Sequence, residues 1–191
     1  NNPTGAVIPD NMLEKIVEIA KKHNTWILSD EVYRGLNLYG NPYSKSIADI
    51  YDKGISTGSM SKTYSLPGLR VGWIAARGDL IKEIIRHREY NTISVSILDD
   101  YFAAVALENR AEIEKRNFKS MQEGINILKT GLESSPDIKC VLPQGGTTVL
   151  LKYNKDIPSK VLCEELLKKT GTAFLPGETF DMEGYLRAGY C

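Results

Sequence analysis

The chain has 191 residues, of which 42% are hydrophobic and 25% charged, and this composition is that of a compact globular protein. Its 24 basic and 24 acidic side chains balance, so no long-range field that would attract nucleic acid or an anionic membrane is predicted. Cys140, Cys163 and Cys191 show neither paired spacing nor a zinc motif, which predicts no disulfide framework and no metal site, and fits a reducing compartment.

The ends of the chain and its hydropathy predict a cytoplasmic segment of a longer protein. No apolar run approaches the roughly 20 residues that cross a bilayer, and the N-terminus lacks the features of a signal peptide. Residue 1 falls inside a tight-turn sequence, Asn1 to Gly5, and the chain stops directly after an apolar stretch. We therefore expect these residues to be part of a longer chain.

The first part of the chain alternates strands with helices, as in an α/β sheet. A helix is predicted to begin at Pro9 and Asp10 and to end near His23. Residues 25–30 predict a short buried strand with Asp30 at its tip, and Trp26 and Trp73 are expected in the core. The further predicted elements are strands 55–59 and 70–76 and helices 80–90 and 94–107.

A long helix over residues 110–133 is predicted to connect this part to a separate, smaller α/β unit. The last third predicts strands 138–142, 147–153, 172–175 and 185–190 and a helix over 159–169. The expected domains are therefore 1–109, a connecting region at 110–135, and 136–191.

One segment, Ser59 to Arg70, carries a lysine among hydroxyl groups and small residues, in a loop that follows a strand. Taken alone, Lys62 in such a loop is most simply a solvated side chain, since lysine is mostly exposed. The segment gains meaning only from other motifs along the chain.

Four motifs occur in order: Asn2-Pro3-Thr4-Gly5, Asp30-Glu31-Val32-Tyr33, Ser59-x-x-Lys62, and Arg70 eight residues later. In order and spacing they resemble the class I and II aminotransferases of the aspartate aminotransferase superfamily, over essentially the whole chain. The resemblance is to the C-terminal part of such enzymes. It implies part of a large domain with a mainly parallel sheet, joined by a long helix to a smaller C-terminal α/β domain.

The resemblance also implies pyridoxal 5′-phosphate as the cofactor. Lys62 would form a Schiff base with the cofactor aldehyde and later move the substrate Cα proton. Asp30 would pair with the pyridine nitrogen, and Tyr33 and Asn2 would hydrogen-bond the phenolic oxygen. From the residues alone, Asp30 could equally cap a helix or turn.

Ser59, Ser61 and Arg70 match phosphate ligands of the family, and Arg187 matches the arginine that binds the substrate α-carboxylate. The alternatives are a surface ion pair for Arg70 and an internal salt bridge for Arg187. Glu31, although part of the second motif, is expected to be structural.

The function implied by the resemblance is transfer of an amino group between an amino acid and a 2-oxo acid by a homodimer. Lyases, decarboxylases and cyclases use the same scaffold, because the cofactor makes the carbanion and its surroundings choose the product. A non-catalytic alternative is the aminotransferase-like sensor domain of a transcription regulator. The 191 residues alone are expected to bind cofactor weakly and to turn over little.

Overall fold

The computed structural model describes residues 1–191 and shows a mixed α/β chain with two compact units. We call residues 8–37 and 41–117 the Lys62 unit, and residues 1–7, 38–40 and 118–191 the Arg187 unit. Helix α5, Arg110–Glu133, begins in the first unit and ends in the second. None of the helices combines the length and apolar character needed to span a membrane.

The Lys62 unit contains a three-stranded sheet in the order β1-β2-β3. Strand β1, Ile27–Asp30, pairs in parallel with β2, Gly54–Ser59, and β2 pairs antiparallel with β3, Gly72–Ala76. The expected mainly parallel sheet is therefore only half realised within these residues, because the chain returns from β2 to β3 through residues 60–71 without a crossover α-helix.

Helices cover one face of this sheet. Helix α1, Asp10–Lys22, and the short α2, Ile47–Ile50, bury a cluster into which Ile27 of β1 also packs. Helices α3, Leu80–Arg88, and α4, Ile97–Glu108, follow β3. Two alanines of α4, Ala103 and Ala106, pack against Met60 and Tyr64 of the loop after β2. That loop is thereby anchored in a core.

The Arg187 unit contains a four-stranded sheet in the order β4-β5-β7-β6, with every neighbouring pair antiparallel. Helix α6 packs on one face, where Cys163 meets Tyr153 and Leu186. The bounds are β4, Ile138–Lys139; β5, Thr148–Tyr153; α6, Ser159–Thr170; β6, Leu175–Pro176; and β7, Tyr185–Gly189.

Most predicted elements are found close to their expected bounds, and the predicted limits of α5 match the structure. The first strand of the Arg187 unit is shorter than expected, since only two of its residues pair with β5 before the chain leaves the sheet. The strand expected at 172–175 instead begins at Leu175 and includes Pro176. Proline lacks an N–H, and it is tolerated here because β6 is an edge strand.

Three burial predictions are wrong. Trp26 is 48% exposed and Trp73 is 42% exposed, and Leu28, in the strand expected to be buried, is 70% exposed. The pattern in β1 alternates, with Ile27 turned toward the covered face and Leu28 toward the open one. Apolar character in the sequence therefore marked this strand correctly but not which of its faces is covered.

Candidate active site

The site in the Lys62 unit is built at one edge of the sheet. Because β1 and β2 are parallel, their carboxyl ends meet at the same edge, where Asp30 ends β1 and Ser59 ends β2. Asp30 pairs in register with Thr57, two residues before Ser59. Ligands of open α/β sheets bind outside this edge.

Asp30 is exposed and makes its hydrogen bonds through one carboxylate oxygen. Its Oδ1 accepts from the backbone N–H of Val32 at 3.2 Å, and the Thr57 hydroxyl lies 3.5 Å from the same oxygen. The turn-capping alternative for Asp30 is thus realised by Oδ1, while Oδ2 has no partner in the chain. A carboxylate held in this way can still accept a hydrogen bond from a ligand.

Tyr33 and Lys62 lie close together. The Lys62 Nζ is 5.9 Å from the centroid of the Tyr33 ring, although the two residues are 29 positions apart in sequence. Lys62 is exposed, whereas the residues on either side of its loop, Met60 and Thr63, are buried. The Met60 N–H donates to the carbonyl of Val71 at 3.0 Å. The Lys62 side chain is therefore free in solvent, whereas the backbone of its loop is fixed by buried neighbours and a hydrogen bond.

The three predicted phosphate ligands lie in and directly after this loop. The Ser59 hydroxyl oxygen accepts from the Ser61 N–H at 3.3 Å, so its own hydrogen remains available to a ligand. Arg70 has a left-handed backbone, with φ at 53°, and its Nη1 donates to the carbonyl of Pro67 at 2.6 Å. Arg70 forms no ion pair and no hydrogen bond with either serine.

The other two predicted residues, Asn2 and Arg187, belong to the Arg187 unit, and the structure brings them together. Arg187 Nη1 donates to the side-chain carbonyl of Asn2 at 3.1 Å. The guanidinium carbon of Arg187 also lies 5.5 Å from the centroid of the Phe180 ring, a cation–π distance. Arg187 forms no ion pair with a carboxylate.

The loop before β7 is held by a carboxylate. Glu183 accepts from the Ser159 N–H at 2.5 Å and from the Ser159 hydroxyl at 2.9 Å, at the start of α6. These donors stabilise the charged form, the backbone N–H most strongly, and they lower the pKa of Glu183 below its usual range. The loop that carries Phe180 is thus tied to the first turn of α6.

Glu31 has the structural role expected of it, since its Oε1 accepts from the N–H of Ile47 at 2.8 Å and caps α2. No sequence motif includes Thr63, Asn117 or Phe180 as a predicted site residue, although these three contact the loops and side chains just described. Asn117 had a detectable signal. Asn117, Met121 and Ile125 follow one another at four-residue spacing and form a buried stripe on α5. A buried polar side chain in such a stripe needs a hydrogen-bond partner.

The aspartate, the lysine loop and its hydroxyl groups thus lie at the carboxyl edge of a parallel strand pair, which is where ligands of open α/β sheets bind. The family model described as aminotransferase class I and II matches residues 1–191. The chain therefore belongs to the class I and II aminotransferases, which confirms the resemblance found in the sequence.

Individual relatives agree with this membership. The chain is 31% identical over 191 residues to capreomycidine synthase of Streptomyces vinaceus, and 30% identical over 195 residues to aspartate aminotransferase of Thermotoga maritima. Each match includes 100% of the chain and 49% of the relative, so the chain spans about half the length of these curated relatives.

One solved structure has a higher sequence identity to this chain than the two relatives just described. The crystal structure of a pyridoxal phosphate-dependent aminotransferase from Streptococcus suis superposes with a TM-score of 0.93 and 40% identity. The match includes 100% of this chain and 50% of that one. Together, the family and these neighbours imply pyridoxal 5′-phosphate as the cofactor. The donor set fits such a group: the Lys62 unit offers an amine, an unpaired carboxylate oxygen and hydroxyl groups within one edge and its loop.

Proposed function

We propose that this chain carries the cofactor lysine of a pyridoxal phosphate-dependent aminotransferase, and that this lysine is Lys62. The observation that carries the proposal is the approach of the Lys62 Nζ to the Tyr33 ring, which brings the second and third sequence motifs together. The reaction would move an amino group from an amino acid to a 2-oxo acid. When bound, the cofactor supplies an electron sink for the substrate carbanion.

Asp30 would set the electronic state of the cofactor. A carboxylate at the pyridine nitrogen keeps that nitrogen protonated, which the electron sink requires. The contacts of Asp30 support this role, because the Val32 N–H and the Thr57 hydroxyl hold Oδ1 and leave Oδ2 unpaired. Tyr33 and Asn2 would donate to the phenolic oxygen of the cofactor.

The phosphate would be held by Ser59, Ser61 and Arg70. Ser59 has a free hydroxyl hydrogen, and the Arg70 guanidinium uses one donor on Pro67 and keeps the others. A planar guanidinium can bind two phosphate oxygens at once. The left-handed backbone of Arg70 supports a special role, since such a conformation is uncommon for a residue with a long side chain.

Lys62 and Arg187 would act on the substrate. Lys62 would hold the cofactor through its amine and, when that amine is free, would act as the base that takes the proton from the substrate Cα. Arg187 would bind the α-carboxylate through two N–H groups. Its lack of a carboxylate partner supports this role, because a half-buried guanidinium needs an anion, and Asn2 and Phe180 already orient it.

The proposal is tested with the full-length protein that contains this chain. After addition of pyridoxal phosphate and then a mixture of amino acids, we expect a Lys62-dependent absorbance band that shifts as the cofactor gains the amino group. Lys82→Ala is the matched control, because Lys82 is an exposed lysine paired only with Asp79. A band that never converts with any amino acid would contradict aminotransfer.

A second candidate is a cyclase or lyase reaction on the same cofactor. It is favoured by the match to capreomycidine synthase, a relative that is named as a synthase and not as an aminotransferase, and whose identity to this chain is similar to that of the Thermotoga maritima aspartate aminotransferase. Product analysis separates the two candidates. Aminotransfer yields a 2-oxo acid and needs a second 2-oxo acid to turn over repeatedly, whereas a cyclase or lyase turns over with the amino acid alone.

We also propose a homodimer in the cytoplasm, with residues 110–135 connecting the two domains predicted from sequence. Helix α4 supports the dimer, because it leaves Ile97, Leu98, Tyr101 and Phe102 exposed on a helix that is apolar on most of its surface. Light scattering on the full-length protein should give twice the monomer mass. The isolated 191 residues should show little turnover.

A further inference from the structure

The residue that follows Lys62 is fixed from two sides. Thr63 is only 3% exposed, and its hydroxyl lies 2.8 Å from the carbonyl of Arg34 and 3.2 Å from that of Val32. Its own carbonyl accepts from the side-chain amide of Asn117 at 2.9 Å. Both its side chain and its backbone are therefore paired with other segments of the Lys62 unit.

The hydrogen bond to the Thr63 carbonyl is the one that the Asn117 side chain makes to the loop that carries Lys62. Asn117 is 6% exposed in α5, and its Oδ1 accepts from Nε and Nη2 of Arg116 at 3.2 and 3.1 Å. Because the guanidinium can only donate, the amide is oriented with Nδ2 toward Thr63. Asparagine is a modest helix former, so its place in the middle of a helix calls for a reason outside the helix.

The single hydrogen of the Thr63 hydroxyl lies between two carbonyls of the segment that carries Tyr33, the nearer one being that of Arg34. Val32 and Arg34 flank Tyr33, and Val32 also donates its N–H to Asp30. Thr63 thus ties the loop that carries Lys62 directly to the turn that carries Asp30 and Tyr33. Nothing comparable restrains the Lys62 side chain itself, which is exposed and reaches Tyr33 through four rotatable bonds.

We infer that Thr63 and Asn117 are positioning residues for Lys62: they fix its backbone relative to Asp30 and Tyr33, so that the amine meets the cofactor in a reactive geometry. The inference rests on the proposed function. Neither residue needs to touch the cofactor. Their effect is on where the Lys62 backbone stands, and a displacement of about 1 Å at a reacting group can lower a rate by about a hundredfold.

The test measures how fast Lys62 bonds to pyridoxal phosphate in the full-length protein, by borohydride reduction at timed intervals and mass analysis of the Lys62 peptide. Thr63→Val removes the hydroxyl and keeps the shape of the side chain. We expect its rate to fall about tenfold to a hundredfold. Thr63→Ser, which keeps the hydroxyl, should recover most of the rate.

The matched control is Tyr51→Phe. It also removes one side-chain hydroxyl that donates to a backbone carbonyl in the same unit, that of Thr25 at 2.7 Å, but it does not contact the lysine loop. Its bonding rate should equal that of the unaltered protein. A Thr63→Val rate equal to the unaltered one, or an equal loss in Tyr51→Phe, would overturn the inference.

Asn117→Ala is measured in parallel, because it removes the bond on the other side of Thr63 and gives the answer should Thr63→Val not fold. It should also slow bonding, while kcat falls and KM for the amino acid stays unchanged. The outcomes separate the two proposals. If the unaltered protein forms no bond at Lys62, the proposed function fails. If it does and Thr63→Val is not slowed, or Asn117→Ala is not slowed where Thr63→Val does not fold, only the positioning inference fails.

Discussion

The two sheets of this chain differ in how completely their own residues cover them. In the Arg187 unit, three consecutive residues of β5, Val149 to Leu151, are buried, so both faces of this inner strand are covered. In the Lys62 unit, α1 and α2 cover one face, whereas Leu28 and Ile74 on the other face are largely exposed. Asp30 lies on this open face, in register with Thr57 and Ile74.

Sheets with parallel strands are normally covered on both faces, so an open apolar face calls for further polypeptide. The chain spans about half the length of its curated relatives. We therefore expect the open face to be covered by residues other than these, from the same protein or from a partner subunit. Six of the seven residues proposed to hold the cofactor lie in the unit with the open face, whereas the seventh, Asn2, lies with Arg187 in the other unit.

The largest expected effect on turnover comes from replacing Asp30, which lies on the open face of the sheet in the Lys62 unit. In the full-length protein, Asp30→Asn keeps the shape of the side chain and removes the charge that would hold the pyridine proton. We expect kcat to fall by about a hundredfold or more, as when one preorganised polar group is removed from a site. The measurement is steady-state turnover with saturating cofactor.

Glu31→Gln is the neighbouring control for Asp30→Asn. Glu31 caps α2, and glutamine keeps an oxygen that can accept from the Ile47 N–H, so the replacement should lower thermal stability only slightly and leave kcat close to the original value. Equal losses of kcat in both variants would contradict the assigned role of Asp30, and would show that this segment acts only through stability.

In the Arg187 unit, the expected effect is on the substrate. Arg187→Met should lower kcat/KM by about tenfold to a hundredfold, since hydrogen bonds to a charged group contribute about 1.5–3 kcal/mol. Binding of pyridoxal phosphate, followed by its absorbance, should change little. Arg77→Met, which removes an exposed arginine paired with Asp52, should leave both quantities unchanged.

A smaller effect tests the open face itself. The isolated 191 residues should bind a dye that fluoresces on exposed apolar surface, and Leu28→Ser together with Ile74→Ser should weaken that fluorescence about twofold, in proportion to the apolar surface removed. Val161→Ser, at an exposed apolar position of the Arg187 unit, is the control. If the double variant bound the dye as strongly as the original, the open face would not be the exposed apolar surface we describe.

The smallest effect concerns how the stability of the Arg187 unit depends on pH. The bonds from Ser159 lower the pKa of Glu183, so the stability it contributes is fully present above its unfolded pKa of 4.5 and is lost as pH falls through the lower folded value. Glu183→Gln should therefore lower the melting temperature at pH 7 and have little effect near pH 2. A difference that persisted undiminished at low pH would contradict this assignment.

Long helices were predictable from the sequence, because their apolar spacing and end signals act locally. Helix α5 has the predicted bounds, and α1 differs by about one residue at each end. Motifs at strand ends were predictable for the same reason. Asp30 was placed at the tip of β1, where the structure has it.

Burial and long-range contacts were harder to predict from the sequence, because they depend on which segments of the folded chain cover each face of a sheet. Trp26, Trp73 and Leu28 are exposed, which shows that the apolar residues of a strand do not reveal which of its faces other segments cover. The Thr63–Asn117 bond joins residues 54 apart, and no local signal pairs those two positions. Of the candidate site, the sequence identified the residues proposed to touch the cofactor, but not Thr63 and Asn117, which we infer to position Lys62.

The most direct measurement of the central claim is reduction of the pyridoxal phosphate-loaded full-length protein with borohydride, followed by mass analysis of its peptides. We expect one modified lysine, Lys62, carrying the mass of the reduced cofactor, and no modified peptide in Lys62→Ala. Modification at another lysine, or none while the cofactor still binds, would contradict the assignment of Lys62 and with it the site described at the edge of β1 and β2.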